Sequence, residues 1–331
     1  MKAQVLLPKI FNFPFTYNTK IKVKIGDIVE VPFGSKKEIG VVWKNNYFEP
    51  DNIKIKNIHK KTEFSIDIKL VNFVEWFASY NLVPIGLVLK MVIGGIGMNK
   101  YMKINNDFIN VKQTKIKKFE LNNEQLKALK FLDKVDNKFD VSVLQGTTGS
   151  GKTLVYFKRI NKVIKKNKQA LVLLPEIFLT NDFKSRFEDF FGFEPAIWHS
   201  KITPKQKRII WKGLIHNKIK ILVGARSGLF LPFKNLGLII VDEEHDSSYK
   251  QDERVIYNAR DMAISRANFE KIPIHLITSV PSLETFNNIC REKYRHIKIL
   301  KRFNNYPLPE TKIINLNINK IKDKFISIET T

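Results

Sequence analysis

Gly146-Thr147-Thr148-Gly149-Ser150-Gly151-Lys152-Thr153 follows the apolar run Val141-Ser142-Val143-Leu144-Gln145 and leads into Leu154-Val155-Tyr156-Phe157-Lys158-Arg159-Ile160. The pattern is G-x-x-x-x-G-K-[ST], lying between a predicted strand and a predicted helix. No other stretch constrains the fold as tightly. Glycines let backbone N–H groups close on a phosphate, and the helix behind them must aim its positive N-terminus at the same point. Lys152 is placed to reach the terminal phosphates and the Thr153 hydroxyl to ligate magnesium. The plainer alternative, a structural glycine-rich turn, is disfavoured by the strand–loop–helix order.

Nucleotide chemistry of this kind needs carboxylates across the site. Leu238-Ile239-Ile240-Val241 is apolar throughout, as a strand covered on both faces must be, and it ends in Asp242-Glu243-Glu244-His245. Carboxylates at the C-terminal end of such a strand stand where open α/β sheets bind ligands. Asp242 is expected to hold magnesium, and Glu243 to orient or polarise an attacking water. Alone, the four residues would read as a solvated turn.

Around these motifs, from Leu121 onward, strands alternate with longer helical segments, which predicts a parallel α/β sheet. Buried strands are expected in VSVLQ, QALVLLP, KILVG, LGLIIVDEE and IPIHLITS. Thr203-Pro204-Lys205-Gln206 has the form of a capping box with proline at the first helical position. Before Leu121 the pattern differs. KAQVLLP, KIKVKIGDIVEVPFG and EIGVVWK read as strands punctuated by proline and glycine, and IDIKLVNFVEWFASY has helical apolar spacing. The expected division is a small β-rich domain over 1–98, a lysine-rich linker over 99–120, an α/β lobe over 121–300 and an unassigned tail over 301–331.

Composition narrows the partners. The single cysteine, Cys290, excludes an internal disulfide framework and any multi-cysteine zinc site, in keeping with a reducing cytoplasm. The longest apolar stretch, Leu82 to Met98, is interrupted by Lys90 and falls short of the roughly 20 residues that span a bilayer. A net charge of +25 suits a polyanionic partner. Two readings of that charge stay open, a nucleic-acid footprint and a Lys/Ile/Asn-rich compositional bias. Ten of the 57 basic residues are arginine, all after position 150.

Longer blocks carry a resemblance. ILVGARSGLFLPFKNLGLIIVDEEHDSSYKQDE (221–253) and LVLLPEIFLTNDFKSRF resemble the PriA helicase family, as do LNNEQLKAL, WHSKITPKQKRIIW and PSLET. VLLPKIFNFPFTY and GDIVEVPFGSKKEIGVV are similar to that family's 3′-end-binding domain. The resemblance covers the chain to about residue 295 and implies a RecA-like helicase lobe preceded by a β-rich DNA-binding domain. It implies an ATP-driven 3′-to-5′ DNA helicase of the replication-restart primosome, acting in the cytoplasm with ATP and magnesium. Forked or single-stranded DNA, other primosome proteins and single-stranded-DNA-binding protein are the implied partners, with no membrane and no zinc in this chain.

Residue roles follow at matching positions. Gln125 would contact adenine, although its helix alone would make it a surface residue. Glu244 and His245, with Thr278 and Ser279, would relay the nucleotide state towards DNA. Arg226 and Ser227 would face the strand. Tyr249, Lys250 and Tyr257 lie in the loop that would sense single-stranded DNA, where aromatics can stack on bases; ordinary surface aromatics are the alternative. Phe15, Tyr17, Gly34 and Lys56 would form the pocket for a 3′ terminal nucleotide, with core packing as the alternative for the two aromatics.

The sequence also departs from the family pattern. About twenty residues separate Met98 from Leu121 where the family has a winged-helix domain, and the second lobe with its cysteine-rich zinc module is expected to be missing. Thr16 stands where an aspartate is common, and Thr278-Ser279-Val280-Pro281 lacks the last threonine hydroxyl of the coupling motif. The rival expectation is a binding module that no longer unwinds.

Overall fold

The computed structural model describes residues 1–44, 55–93, 117–253 and 255–302, and the backbone of 321–323 and 326–327. Residues 99–116 of the expected linker, most of the tail and Arg254 lie outside the described residues.

The amino-terminal strands are β1 (Lys2–Leu6), β2 (Phe15–Asn18), β3 (Asp27–Phe33), β4 (Lys36–Val42) and β5 (Lys60–Ser65). They form an antiparallel sheet in the order β2-β1-β4-β3-β5. The run KIKVKIGDIVEVPFG is a strand only from Asp27, because Gly26 at φ 91° turns the chain before it. Gly34, at φ 59°, opens the two-residue turn between β3 and β4.

Two helices follow, α1 (Ile68–Tyr80) and α2 (Ile85–Ile93). Asp67 caps α1 by accepting from the Lys69 N–H, and Leu70, Phe73, Val74 and Phe77 form its buried stripe. That stripe is buried against the α/β lobe. Phe77 meets Phe230 edge-on at 5.0 Å and Tyr257 at 5.4 Å, Phe64 meets Trp211 at 5.4 Å, and the Trp211 indole donates to the Val92 carbonyl at 2.9 Å. One apolar cluster therefore runs from Leu6 in the first sheet to Leu276 in the second.

The lobe contains α3 (Asn123–Asp133), β6 (Asp140–Gly146), α4 (Lys152–Lys165), β7 (Gln169–Leu173), α5 (Asn181–Phe191), β8 (Ala196–Trp198), α6 (Pro204–Ile215), β9 (Ile221–Gly224) and β10 (Leu236–Asp242). After a two-residue antiparallel pairing, β11 (Lys250–Gln251) with β12 (Tyr257–Asn258), come α7 (Ala259–Glu270), β13 (Pro273–Thr278), α8 (Leu283–Cys290) and β14 (Arg295–Ile299). Seven strands form a parallel sheet in the order β14-β6-β13-β10-β7-β9-β8. All seven residues of β10 are buried, as an unbroken apolar run demands when helices cover both faces. The capping box at Thr203 and Gln206 forms with Pro204 opening α6. The five expected lobe strands are all present; β8 and β14 are additional.

Candidate nucleotide-binding site

The loop from Gly146 to Thr153 joins the C-terminal end of β6 to α4. Gly149 and Gly151 stand at φ 81° and 79°, a left-handed backbone that side-chain-bearing residues rarely adopt. A Cβ on Gly151 would come within 2.3 Å of the Gln125 amide nitrogen. Gln125 is buried, not on the surface as its helix alone would place it. Its carbonyl oxygen accepts from the Asn122 N–H at 3.0 Å, closing the box that caps α3, and its amide donates to the Ser150 carbonyl at 2.9 Å. The glutamine thus ties the start of α3 to the loop.

Lys152 is folded back, its ammonium donating to the Gly146 carbonyl at 2.7 Å and the Thr147 carbonyl at 3.3 Å. Burial lowers its pKa, opposed by Glu243 and Asp242. The buried Ser150 hydroxyl has no hydrogen-bond partner among the described residues. A concave loop of positive-φ glycines, a retracted ammonium and an unsatisfied hydroxyl at a helix N-terminus fit a phosphate group.

Asp242 ends β10 opposite this loop. Its carboxylate accepts from the Tyr156 hydroxyl at 2.9 Å and from the Glu243 N–H at 3.0 Å. Burial, then repulsion from Glu243, pushes its pKa up to about 6, against the hydrogen bonds and Lys152. With the Thr153 hydroxyl this buried carboxylate makes an oxygen donor set that suits magnesium. Glu243 sits at φ 48°, a strained backbone for a side-chain-bearing residue that turns it out of the strand line. Thr153, Lys152, Asp242, Glu243 and Gln125 line one cavity of about 560 Å³, together with Thr148, Gly149 and Gly151.

The residues expected to relay the nucleotide state form two sets of contacts. The Thr278 hydroxyl donates to the Val280 carbonyl at 2.7 Å and so accepts from His245 Nδ1 at 2.9 Å, which assigns the histidine proton to Nδ1. Buried Glu244 accepts from the Ser282 N–H at 2.8 Å, the Ser282 hydroxyl at 3.0 Å, the Thr285 hydroxyl at 2.9 Å and Arg260 at 3.3 Å. Ser279 offers its carbonyl to the Gln145 amide at 3.4 Å.

Two expectations fail in the loop after the acidic run. Tyr249 is 1% exposed, its hydroxyl 2.6 Å from the Asp242 carbonyl and 2.9 Å from the Leu173 carbonyl. Tyr257 is 4% exposed and packed on Phe77 and Phe230. Neither ring presents a face on which a base could stack, so both are core residues. Lys250 does reach solvent, paired with Asp252 at 3.1 Å, and Arg226 donates to the Lys250 carbonyl. The Ser227 hydroxyl accepts from the Trp198 indole at 3.1 Å.

In the first sheet, Lys56 donates to the Gly34 carbonyl at 3.1 Å, which joins two of the four expected pocket residues at the β3–β4 turn. Phe15 is half-buried, edge-on to Phe11 at 4.9 Å and to Phe33 at 5.3 Å. Tyr17 is buried, with its hydroxyl donating to the Pro32 carbonyl at 3.1 Å. The structure gives that ring to the core, which corrects its expected place as a DNA contact.

The 3′ DNA-binding domain (3′BD) family matches residues 4–94, and the DEAD/DEAH box helicase family matches residues 122–287. The chain belongs to the DEAD/DEAH box helicase family. Within that family it resembles replication restart protein PriA. The PriA of Rickettsia felis is 39% identical over 335 residues, covering 98% of this chain and 50% of that protein. The PriA of Bacillus subtilis is 40% identical over 185 residues, 56% of this chain and 23% of that protein, and that of Helicobacter pylori strain J99 33% over 276 residues, 82% and 42%. The chain spans about half the length of the Rickettsia relatives.

Sequence reasoning missed several residues of this helicase-family site. Tyr156 lies one turn beyond Lys152 on α4, and that spacing was the available signal for its contact with Asp242. Phe119 and Phe190 stack at 6.0 Å on the cavity wall, and Lys117 pairs with Asp189 at 2.8 Å. The last residues of the expected linker are therefore docked on α5. Arg186, also on α5, lines the cavity; it lies in the block LVLLPEIFLTNDFKSRF, which gave it no role of its own.

Proposed function

We propose that this chain is the DNA-end-binding and ATP-binding portion of a PriA-like helicase of replication restart, working in the cytoplasm on forked or single-stranded DNA. The observation that supports this most strongly is the convergence of Lys152, Thr153, Asp242 and Glu243 on one cavity. Lys152 and the loop N–H groups would hold the β- and γ-phosphates, and Thr153 with Asp242 would hold magnesium. When bound, the metal neutralises charge on the phosphate oxygens. Glu243, turned out of the strand by its left-handed backbone, would orient a water on the terminal phosphate. The Glu244 cluster and the His245–Thr278 contact join the acidic run to α8 and β13, which is how a change at the phosphate would reach other surfaces. In this reading Gln125 holds the loop and borders the base, while Arg226, Ser227 and Lys250 lie towards the strand. Phe15, Gly34 and Lys56 would receive a 3′ end.

The test is DNA-stimulated ATP hydrolysis, with Glu243→Gln as control. Turnover abolished by Glu243→Gln is expected. Turnover that the substitution leaves unchanged would remove Glu243 from the chemistry.

A further inference from the structure

We propose that Arg186, on α5, is a second cation for the nucleotide polyphosphate, supplied from within the lobe. The proposal rests on reading the Gly146–Thr153 loop as an ATP site. Next to the cavity of about 560 Å³ lies a recess of about 210 Å³, and the residues that line both are Thr153, Arg186, Asp242 and Glu243. Three of the four are the hydroxyl and carboxylates assigned to magnesium and water. Arg186 therefore borders the end of the site where the terminal phosphate and its metal would lie.

Charge balance supports the assignment. Beside the metal carboxylates, the two cavities are lined by Asp182 and Asp189, and by the cations Lys152 and Arg186. Lys117 pairs with Asp189. A triphosphate brings about four negative charges, of which a magnesium ion offsets two. Lys152 is a single ammonium, whereas a guanidinium presents a planar fork that takes two phosphate oxygens at once. Arg186 is available for this. Its bond is to Asp182 at 2.6 Å, one helical turn away, and the two side chains are 66% and 74% exposed. An ion pair so exposed contributes little, so the guanidinium can move from the carboxylate to a phosphate at small cost.

The neighbouring carboxylate gives a test of opposite sign. If Arg186 serves the phosphate, Asp182 competes for it, and removing each should move affinity in opposite directions. If Arg186 serves only the surface of α5, Arg186→Ala and Asp182→Asn should behave alike.

Titration calorimetry on the 331-residue chain with Mg-ATP, Mg-ADP and AMP decides the matter. For Arg186→Ala, ATP affinity should fall about tenfold, as for one charge-assisted hydrogen-bonded contact. ADP affinity should fall less, AMP affinity should not change, and Arg186→Lys should recover part of the loss. Asp182→Asn should tighten ATP binding about two- to threefold. Unchanged ATP affinity in Arg186→Ala, an equal loss for all three nucleotides, or weakening by both substitutions would overturn the proposal. Lys152→Ala separates the two levels. Equal ATP binding by wild type and Lys152→Ala would remove the ATP site and this proposal together. Loss in Lys152→Ala beside an unaffected Arg186→Ala would remove the proposal alone.

Discussion

The loop after β6 and the loop after β10 leave the same edge of one parallel sheet, two strands apart, and both stand out in the sequence. They put function in different atoms. In Gly146–Thr153 the work falls to the backbone, with positive-φ glycines, N–H groups at the start of α4 and one lysine folded into the loop. In Asp246–Asn258 the features that drew attention were aromatic side chains, and the fold turned both tyrosines inward. A glycine pattern specifies backbone shape wherever it occurs. An aromatic residue says only that a large surface must be covered, by a base or by neighbouring side chains, and burial beside Phe77 and Phe230 is the answer found for Tyr257.

Tyr257 offers the sharpest way to break that contrast. Tyr257→Ala should cost about 3–5 kcal/mol of stability by leaving a cavity between α1 and the lobe. Urea denaturation should show that loss, while DNA affinity measured where the variant is still folded stays within about twofold of wild type. A stable variant with sharply weakened DNA binding would return the ring to the DNA face.

The phosphate loop makes the complementary prediction. Lys152→Ala should weaken Mg-ATP binding by about 100-fold, near the upper end for a contact with a charged group, with little effect on unfolding. A large stability loss with retained ATP affinity would mean that the ammonium supports the loop through the Gly146 and Thr147 carbonyls and does not meet the ligand.

A smaller effect tests the sheet that carries both loops. His275 lies on β13 between β6 and β10, fully buried, accepting a bond from Arg159 at 3.4 Å. Burial, and then the Arg159 guanidinium, lower its pKa from 6.5 to about 3. The unfolded chain therefore takes up a proton that the fold excludes between those values. Stability is full above the unfolded pKa and falls as pH drops from about 6.5 towards 3, at most ~1.4 kcal/mol per pH unit. His275→Gln should flatten this acid arm in denaturation measured between pH 7 and pH 5. An identical pH slope in the two proteins would show that other groups govern it.

Much of the lobe was legible because its signals are local. Val141 to Gln145 and Leu238 to Val241 are short, largely apolar runs bounded by turn signals, as buried strands are, Thr203 to Gln206 can cap a helix without outside help, and the loop glycines favour one backbone shape. The resemblance named His245 and Thr278 together, and the structure joins their side chains through a 2.9 Å hydrogen bond. The partners of Glu244 were not legible, since Arg260, Ser282 and Thr285 come from α7 and the start of α8. Tyr156 carries no motif of its own, and only the packing of α4 beside β10 brings it to Asp242, while Arg186 on α5 lines the same cavity.

The amino-acid sequence by itself determined a parallel α/β lobe with a phosphate loop and an acidic strand end. Apolar runs, caps and glycine backbones act over a few residues and need no distant partner. The tertiary structure alone decided that α1 and α2 share a core with the lobe, that Tyr17, Tyr249 and Tyr257 are interior, and that Gln125 is a strut between α3 and the loop. Each of these depends on contacts between segments far apart in the chain, and a side chain's apolar surface is satisfied equally by a ligand or by such a neighbour. Which one it meets is set by chain topology, and that is not written at the residue itself.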